Sequence, residues 1–347
     1  MKKRSRFCYS LLIAAILAAS PVASASAQDN TVVLAQFGGV WQQVLEKALA
    51  PFEAEHKVKI RFVPGSSMDS AARAIASRNK PDVDVVLGEE LSWGMANEEK
   101  IWEKLDPAKV TNLKAIVPQA RFANDEGVGF VMQSVGMFYR TDTFGKNNWA
   151  APVSWSDLLD KKYCRKLGIS HPNVSFTHYA LMMLGGGKPD DYPAGVARLA
   201  AVRDCIETMD PSAQKTLEKV QLGDYDLGVS TSILIITLQK RGVPVRFFNP
   251  KEGAMLQFTS AAVVKNAPHP ALAQLLVNEL LSPRVQQILV EQFNGSPVNP
   301  AVPPRADLIA AGSPDPANLA GFKPIEAEAI LKNRKRYIQE AVRTLGQ

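Results

Sequence analysis

Thr31-Val32-Val33-Leu34-Ala35-Gln36-Phe37-Gly38-Gly39 is an apolar, β-branched run that stops at two adjacent glycines. Such a run is typical of a buried strand, and the glycine pair marks the turn that ends it. An apolar stripe with helical spacing follows, formed by Val44, Leu45, Ala48, Leu49 and Phe52. The segment therefore predicts a strand, a glycine turn and a helix packed back onto the strand.

Two more strand–helix units extend this pattern. Residues 58–62 alternate apolar and basic side chains, which predicts a half-exposed strand, and a helix is predicted over 68–78. Residues 82–88 (Asp-Val-Asp-Val-Val-Leu-Gly) predict a third strand, followed by a helix over 91–100. The β-α-β-α-β-α order favours an α/β fold with a parallel sheet wrapped by helices.

A second α/β set follows an extended segment at 127–139. The predicted strands are 167–170, 225–230 and 243–248, and the predicted helices are 177–184, 194–208, 213–222 and 233–241. Beyond a second extended segment, 257–264, helices are predicted over 271–281, 283–292 and 325–345, with the proline-rich stretch 297–316 irregular. Ser154, with Asp157 three residues on, is predicted to cap a short helix.

The two extended segments suggest a hinge. If the chain leaves one lobe near 130–138 and returns near 257–263, two strands join two lobes that can close around a ligand. On this hypothesis residues 28–133 plus 260–347 form lobe I and residues 134–259 form lobe II. A single large sheet is the alternative.

Residues 1–27 are typical of a cleaved secretory signal peptide. Four basic residues among the first six are followed by the apolar run Leu11–Leu17 and by the small-residue site Ala25-Ser26-Ala27. The apolar run is too short to span a bilayer. Because residues 1–27 carry four basic residues and no acids, their removal lowers the formal net charge from +6 to +2. We therefore expect an exported, soluble, monomeric protein without a nucleic-acid partner.

Two of the three cysteines, Cys164 and Cys205, lie in the mature chain. An even number of cysteines in an exported protein favours a disulfide, and two buried thiols are the alternative. A metal site formed by these cysteines with His171 is a further, weaker alternative in an oxidising compartment.

Catalytic and cofactor motifs are missing or broken. No Gly-x-Ser-x-Gly elbow, His-Glu-x-x-His pair or Cys-x-x-Cys pair occurs, and Gly185-Gly186-Gly187-Lys188 continues with Pro189 where a phosphate loop needs serine or threonine. We therefore expect no cofactor, no metal and no enzymatic activity.

Polar and aromatic side chains gather instead where predicted strands end and helices begin, which is where open α/β sheets bind ligands. These candidate ligand-binding residues are Phe37, Gly38, Gly39, Trp41, Ser66, Ser67, Glu89, Glu90, Ser175, Phe176, Ser230, Thr231 and Ser232. Hydroxyls, carboxylates and free helix N-termini suit a small polar solute. Each of these residues could instead have a purely structural role, since serine and threonine cap helices and Trp41 suits a hydrophobic core.

The chain resembles the extracellular solute-binding proteins of bacterial ABC transporters, in the family of the spermidine/putrescine- and ferric-iron-binding periplasmic proteins. The resemblance lies in Phe37-Gly38-Gly39 with Pro51-Phe52-Glu53, in Trp155–Asp160 before Lys166–Ile169, and in Leu280–Gln286 before Gly295–Asn299. It implies the type II periplasmic-binding-protein fold, two Rossmann-like lobes on a two-strand hinge, with delivery of a bound solute to an inner-membrane permease.

The same resemblance adds Gln257 and Thr259 to the candidate site, in positions where the polyamine binders have tryptophan and aspartate. Glu89 stands where they have serine, and no Tyr-Tyr pair of the iron binders is present. A periplasmic receptor for a small polar organic solute is therefore the leading hypothesis. The alternatives are a secreted enzyme using Glu89 and His171, a polyamine binder with an atypical site, and a scaffold or sensor that binds a membrane receptor and not a permease.

Overall fold

The computed structural model describes residues 30–346, so the predicted signal peptide lies outside the described residues. Eleven strands of this part of the chain belong to one mixed sheet. They are β1 (Thr31–Gln36), β2 (Lys59–Pro64), β3 (Val85–Glu89), β4 (Trp102–Glu103), β5 (Val128–Arg140), β6 (Leu167–Gly168), β7 (Leu227–Thr231), β8 (Val245–Phe248), β9 (Ala254–Val264), β10 (Ser296–Pro297) and β11 (Phe322–Pro324).

The same part of the chain forms twelve α-helices. They are α1 (Gly39–His56), α2 (Ser67–Ala76), α3 (Glu90–Glu98), α4 (Thr141–Lys146), α5 (Ser175–Gly185), α6 (Tyr192–Ala200), α7 (Ala213–Leu222), α8 (Ser232–Lys240), α9 (Pro270–Leu280), α10 (Pro283–Phe293), α11 (Ala306–Ala310) and α12 (Ala327–Leu345). Short 3-10 helices lie at Thr111–Ala115, Pro118–Ala120, Ala123–Asp125, Trp155–Leu159, Lys161–Tyr163, Pro189–Asp191 and Arg203–Cys205.

The first three strands run parallel, as the repeated strand–helix order predicts. β1 pairs with β2 on one side and with β3 on the other. The alternation in β2 is also present, because Ile60 is buried while Lys59 and Arg61 are exposed. The order along the sheet is β2-β1-β3-β9-β5-β7-β6.

The two long strands β5 and β9 occupy the middle of the sheet and lie antiparallel to each other. Both are buried along their whole length. β3 pairs with β9, and β7 pairs with β5, so each parallel set attaches to one of the two long strands. The sheet is thus continuous through the predicted crossing segments.

Buried apolar side chains divide into groups along the chain. Two clusters draw mainly on residues 32–132 and 256–298, with Ile233 as an addition. Two others draw on residues 135–255 together with 308–345. The second group includes Ile330 and Tyr337 of α12, so this C-terminal helix packs with residues of the middle of the chain. The residue bounds of lobes I and II stay a prediction.

Cys164 and Cys205 are joined by a disulfide, as predicted. A difference from the sequence prediction lies next to the bridge, where the helix expected over 194–208 ends at Ala200. Residues 203–205 turn in a 3-10 helix that brings the Cys205 carbonyl to the Arg165 amide at 2.8 Å. The chain therefore leaves the helical path where it meets the cross-link.

The Ser154 cap and the proline-rich stretch 297–316 were also predicted from the sequence. Ser154 caps the 3-10 helix at Trp155–Leu159, its Oγ accepting from the Ser156 amide at 3.1 Å. The stretch predicted to be irregular contains the short helix α11. Within residues 30–346, no helix combines the length and the apolar character needed to cross a membrane.

Candidate functional site

Two adjacent glutamates stand where β3 passes into α3. β3 is an apolar buried strand that ends at Glu89, and Glu90 is the first residue of the helix. The Glu89 amide donates to Ser92 Oγ at 3.2 Å, and that hydroxyl donates to the Glu89 carbonyl at 2.7 Å. Because these bonds cap the helix through Ser92 and the main chain, both glutamate side chains are left for other contacts.

Glu90 is a buried carboxyl, only 5% exposed. Its Oε1 accepts from the Phe258 amide of β9 at 2.5 Å, whereas Oε2 has no hydrogen-bond partner among the described residues. Burial, with a smaller contribution from the charge of Glu89, raises the pKa of Glu90 to about 8. Burial likewise raises the pKa of Glu89, and a hydrogen bond from Ser175 opposes that effect.

A chain of hydrogen bonds leads from Glu89 to the two long strands. Ser175 Oγ, at the start of α5, donates to Glu89 Oε2 at 3.1 Å, and Gln257 Nε2 of β9 lies 3.2 Å from Ser175 Oγ. Gln133 Nε2 of β5 donates to Gln257 Oε1 at 3.0 Å. We call Glu89, Ser175, Gln257 and Gln133 the polar network. It connects β3, α5, β9 and β5 through side chains alone.

The sheet register explains why the polar network forms. Gln133 and Gln257 lie directly opposite each other on β5 and β9, and Glu89 lies opposite Thr259, two residues further along β9. Residues two apart on a strand project from the same face. Gln257 and Thr259, both at most 2% exposed, therefore share a face of β9 beside Glu89.

The β7–α8 junction brings three predicted residues to β5. Ser232 Oγ accepts from the Ser134 amide at 3.2 Å, while Ser230 pairs with Gly136 in the β5–β7 register. Thr231 is buried, and its hydroxyl has no hydrogen-bond partner among the described residues. The register places Thr231 opposite Val135, two residues along β5 from Gln133.

Other predicted residues lie in local structure. Ser66 caps α2, its Oγ accepting from the Asp69 amide at 3.1 Å, and Ser67 begins that helix. Phe176 is buried in the core cluster of the middle of the chain. No hydrogen bond between described residues ties any of these three to the polar network.

The Phe37–Trp41 segment begins α1. The Gly38 amide donates to the buried Gln36 side chain at 2.6 Å, and both Gly38 and Gly39 have positive φ. Trp41 stacks on Phe293 with ring centroids 3.9 Å apart and lies 5.3 Å from the Phe37 ring. Both aromatics pack against the first core cluster, which is the alternative that the sequence left open for Trp41.

Three residues near the glutamates were not predicted. Gln133 is a polar side chain within the apolar run 130–138, a signal that could have been followed. Tyr179 lies one helical turn after Ser175, and Arg334 comes from the distant α12, for which the sequence gives no signal. Electrostatic interactions of Tyr179 with Glu89, Glu90 and Arg334 bring all three into one neighbourhood.

The site can therefore accept and donate hydrogen bonds to a polar ligand. Among the ion pairs between residues 30 and 346, none includes Glu89 or Glu90. In the same range no three histidine, cysteine, aspartate or glutamate side chains come together as metal ligands. Buried carboxyls without a cation favour a ligand that brings hydrogen-bond donors.

Comparison with known proteins finds similarity to bacterial solute-binding proteins. A family model described as bacterial extracellular solute-binding protein matches residues 47–318. The spermidine/putrescine-binding periplasmic protein of Salmonella typhimurium is 24% identical over 302 residues, 84% of this chain and 83% of that protein.

Solved structures share the fold. An ABC transporter substrate-binding protein from Bradyrhizobium japonicum is 23% identical, with a TM-score of 0.76 over 91% of this chain and 99% of that one. The periplasmic binding protein AfuA from Actinobacillus pleuropneumoniae, with fructose-6-phosphate bound, is 20% identical, with a TM-score of 0.74 over 91% and 98% of the two chains. The α/β periplasmic-binding-protein fold predicted from the sequence is confirmed.

Proposed function

Because the chain belongs to the bacterial extracellular solute-binding protein family, we propose that it is a periplasmic receptor that binds a small polar organic solute at the polar network. It then delivers the solute to the permease of an ABC importer. Residues 1–27 serve as the cleaved signal that takes the chain to the periplasm.

The observation that carries this proposal is the connection made by the polar network. Glu89 belongs to proposed lobe I and Ser175 to proposed lobe II, and their side chains meet at 3.1 Å. Gln133 and Gln257 lie opposite each other on β5 and β9, the two strands of the proposed hinge. A solute that binds these four groups contacts both lobes and the hinge at once, and so stabilises the closed form.

The same residues argue against a polyamine as the solute. A polyamine needs aromatic faces along its methylene chain and carboxylates at its several ammonium groups. Gln257, in the tryptophan position of the resemblance, uses its amide in two hydrogen bonds to Gln133 and Ser175. Trp41 is stacked on Phe293 in the core cluster. The network therefore suits a shorter and more polar molecule.

No observation favours the enzyme alternative. His171 Nδ1 lies 2.7 Å from Asn173 Oδ1, and among the hydrogen bonds of residues 30–346 none joins His171 to Glu89. A general acid–base pair needs its two members within reach of one reacting group.

Native mass spectrometry of the protein isolated from a periplasm without refolding tests the proposal. We expect a bound small molecule, which should also raise the melting temperature of the stripped protein. Gln257→Leu should abolish most of that rise, whereas Gln214→Leu, an exposed position on α7, should retain it. Equal stabilisation of both variants would place the solute elsewhere, and no solute in either measurement would refute the receptor function.

A further inference from the structure

The glutamates of the site have no positively charged partner among residues 30–346. Glu90 is buried with an unpartnered Oε2, and Glu89 is bonded to a neutral hydroxyl. Two buried aspartates elsewhere in the fold, Asp84 and Asp210, have several donors to their carboxylates. Asp210, for example, has the Lys219 ammonium at 2.7 Å and the Tyr225 hydroxyl at 2.8 Å. The glutamate pair therefore differs from these two aspartates in having acceptor capacity that the described residues leave unused.

Arg334, which lies near the start of α5, is a cation with unused donors. Its Nη2 donates to the Asn173 carbonyl at 2.9 Å, two residues before Ser175, while its Nε is buried without a hydrogen-bond partner. Among the ion pairs between described residues, none includes Arg334. This guanidinium has unused donors and no anion.

Tyr179 of α5 interacts electrostatically with both charged groups. The residue is fully buried, and its hydroxyl, which the Gln257 side chain of the polar network approaches, makes no hydrogen bond of normal geometry in the described part of the chain. Burial, together with the charges of Glu90 and Glu89, raises the pKa of Tyr179, and the charge of Arg334 acts in the opposite direction. The hydroxyl thus lies within electrostatic reach of both the acids and the guanidinium.

The position of α12 maintains this arrangement. Leu331 packs so closely on α3 that a Cβ on Gly94 would lie 1.5 Å from its Cδ1, and Tyr337 stacks on Tyr192 of α6 with ring centroids 5.0 Å apart. α12 is therefore fixed both to the helix that begins at Glu90 and to a helix beside α5. Arg334, between Leu331 and Tyr337, is held at a set position relative to the glutamates.

From these unused groups we propose that the solute is a zwitterion, with an ammonium group at Glu89 and Glu90 and an anionic group, carboxylate or phosphonate, at Arg334. Tyr179 bonds the solute between its two charges. This inference rests on the proposed function and narrows it, because a solute with charges of one sign satisfies only half of the site.

The first test uses ligands matched in length. Thermal shift and calorimetry compare ω-amino carboxylates and ω-amino phosphonates of increasing chain length with the diamines, dicarboxylates and amino alcohols of the same spacing. We expect the zwitterions to bind about tenfold or more tightly than every compound that lacks one of the two charges. The two zwitterion series distinguish a carboxylate from a phosphonate.

The second test uses variants with controls on the same helices. Glu90→Gln and Arg334→Gln should each weaken the best zwitterion about tenfold to a hundredfold, whereas Glu98→Gln on α3 and Lys335→Gln on α12, both exposed, should leave its affinity unchanged. Tyr179→Phe removes one oxygen from a folded core and should weaken binding less. Circular dichroism melts verify that each variant is folded.

The outcomes separate this inference from the receptor function. If native mass spectrometry identifies a neutral solute, or one with charges of a single sign, the proposal of a zwitterionic solute is wrong. The proposed receptor function would still hold. Zwitterion affinities that fall no further in Glu90→Gln and Arg334→Gln than in the controls also overturn the proposal of a zwitterionic solute. If no solute is retained and none of the compounds binds, the proposed function fails together with the inference.

Discussion

Glu90 makes the stability of the ligand-free protein depend on pH. Its pKa is about 8 in the folded chain because of burial, against 4.5 for an ordinary glutamate. Between these values the folded state holds a proton that the unfolded chain has released. This contribution to stability is complete below about pH 4.5 and is lost as the pH rises through about 8.

We therefore predict that the stability of the natural chain relative to Glu90→Gln falls by about 2 to 4 kcal/mol between about pH 5 and about pH 9. Glutamine keeps the acceptor for the Phe258 amide and has no proton to lose. Urea unfolding at the two pH values measures the difference, with Glu98→Gln as the exposed control on the same helix. A difference that does not change with pH would show that Glu90 is ionised in the folded protein.

For individual residues, the sequence predicted those whose placement depends on neighbours in the chain. Glu89 and Glu90 follow a buried strand, and Ser154 with Asp157 forms a local cap, so a few residues of sequence suffice. Gln133 and Tyr179 were missed because their roles depend on distant partners. Gln133 matters only because the β5–β9 register places it opposite Gln257, and a shift of one residue would turn it to the other face.

Among the elements, α5 and α6 cross at an unusually close contact. A Cβ built on Gly195 of α6 would lie 1.7 Å from the Leu181 carbonyl oxygen of α5, and one on Gly185 would lie 1.9 Å from the Asp191 carbonyl oxygen. Main-chain atoms cannot move aside as a flexible side chain can. The glycines are therefore needed to bring the two helices together beside the polar network.

Gly195→Ala should therefore destabilise the fold by about 3 kcal/mol, although alanine is the better helix former. Gly145→Ala is the matched control, because Gly145 lies in α4 with no atom within 4 Å of the added methyl group. We expect that change to be neutral or to stabilise by up to about 1 kcal/mol. Chemical denaturation measures both, and similar values for the two variants would contradict the close crossing.

The disulfide between Cys164 and Cys205 is expected to stabilise the fold mainly by restricting the unfolded chain. Cys164 and Cys205 are 41 residues apart, and a loop of that length restricts the unfolded chain by about 4 kcal/mol in the chain-entropy model. Cys164→Ala with Cys205→Ala should lower the free energy of unfolding by about 2 to 4 kcal/mol. A reductant should destabilise the natural chain and leave the double variant unaffected, and sensitivity of the double variant would refute this account.

The order of elements was predictable because each strand and helix has its own apolar pattern. The end of α6 was not predicted: the helix stops at Ala200, and residues 203–205 form a 3-10 helix that carries the disulfide to Cys164. The docking of α12 was also missed. Its amphipathic pattern predicts a buried stripe, but only tertiary packing shows that Tyr337 meets Tyr192 of α6.

For the whole molecule, the fold determines how strongly the two proposed lobes are connected. The core clusters draw on separate parts of the chain, while β5 and β9 run through the middle of the sheet. Across this middle the Ser175 hydroxyl reaches Glu89, with one hydrogen bond at 3.1 Å. That hydrogen bond contributes about 1 kcal/mol. Because α12 packs on both α3 and α6, separation of the proposed lobes also has to release one of these helix contacts.

We predict that the protein opens without solute and closes when solute binds. Spin labels at Glu55→Cys on α1 and Gln214→Cys on α7, both exposed, report the distance between the proposed lobes in a protein that lacks residues 1–27. Pulsed electron resonance should show a broader and longer distance distribution without the solute found by native mass spectrometry than with it. Labels at Glu55→Cys and Glu98→Cys, both in proposed lobe I, should give one unchanged distance. If the first pair is equally insensitive to the solute, residues 31–346 form one rigid body, and binding does not act through closure.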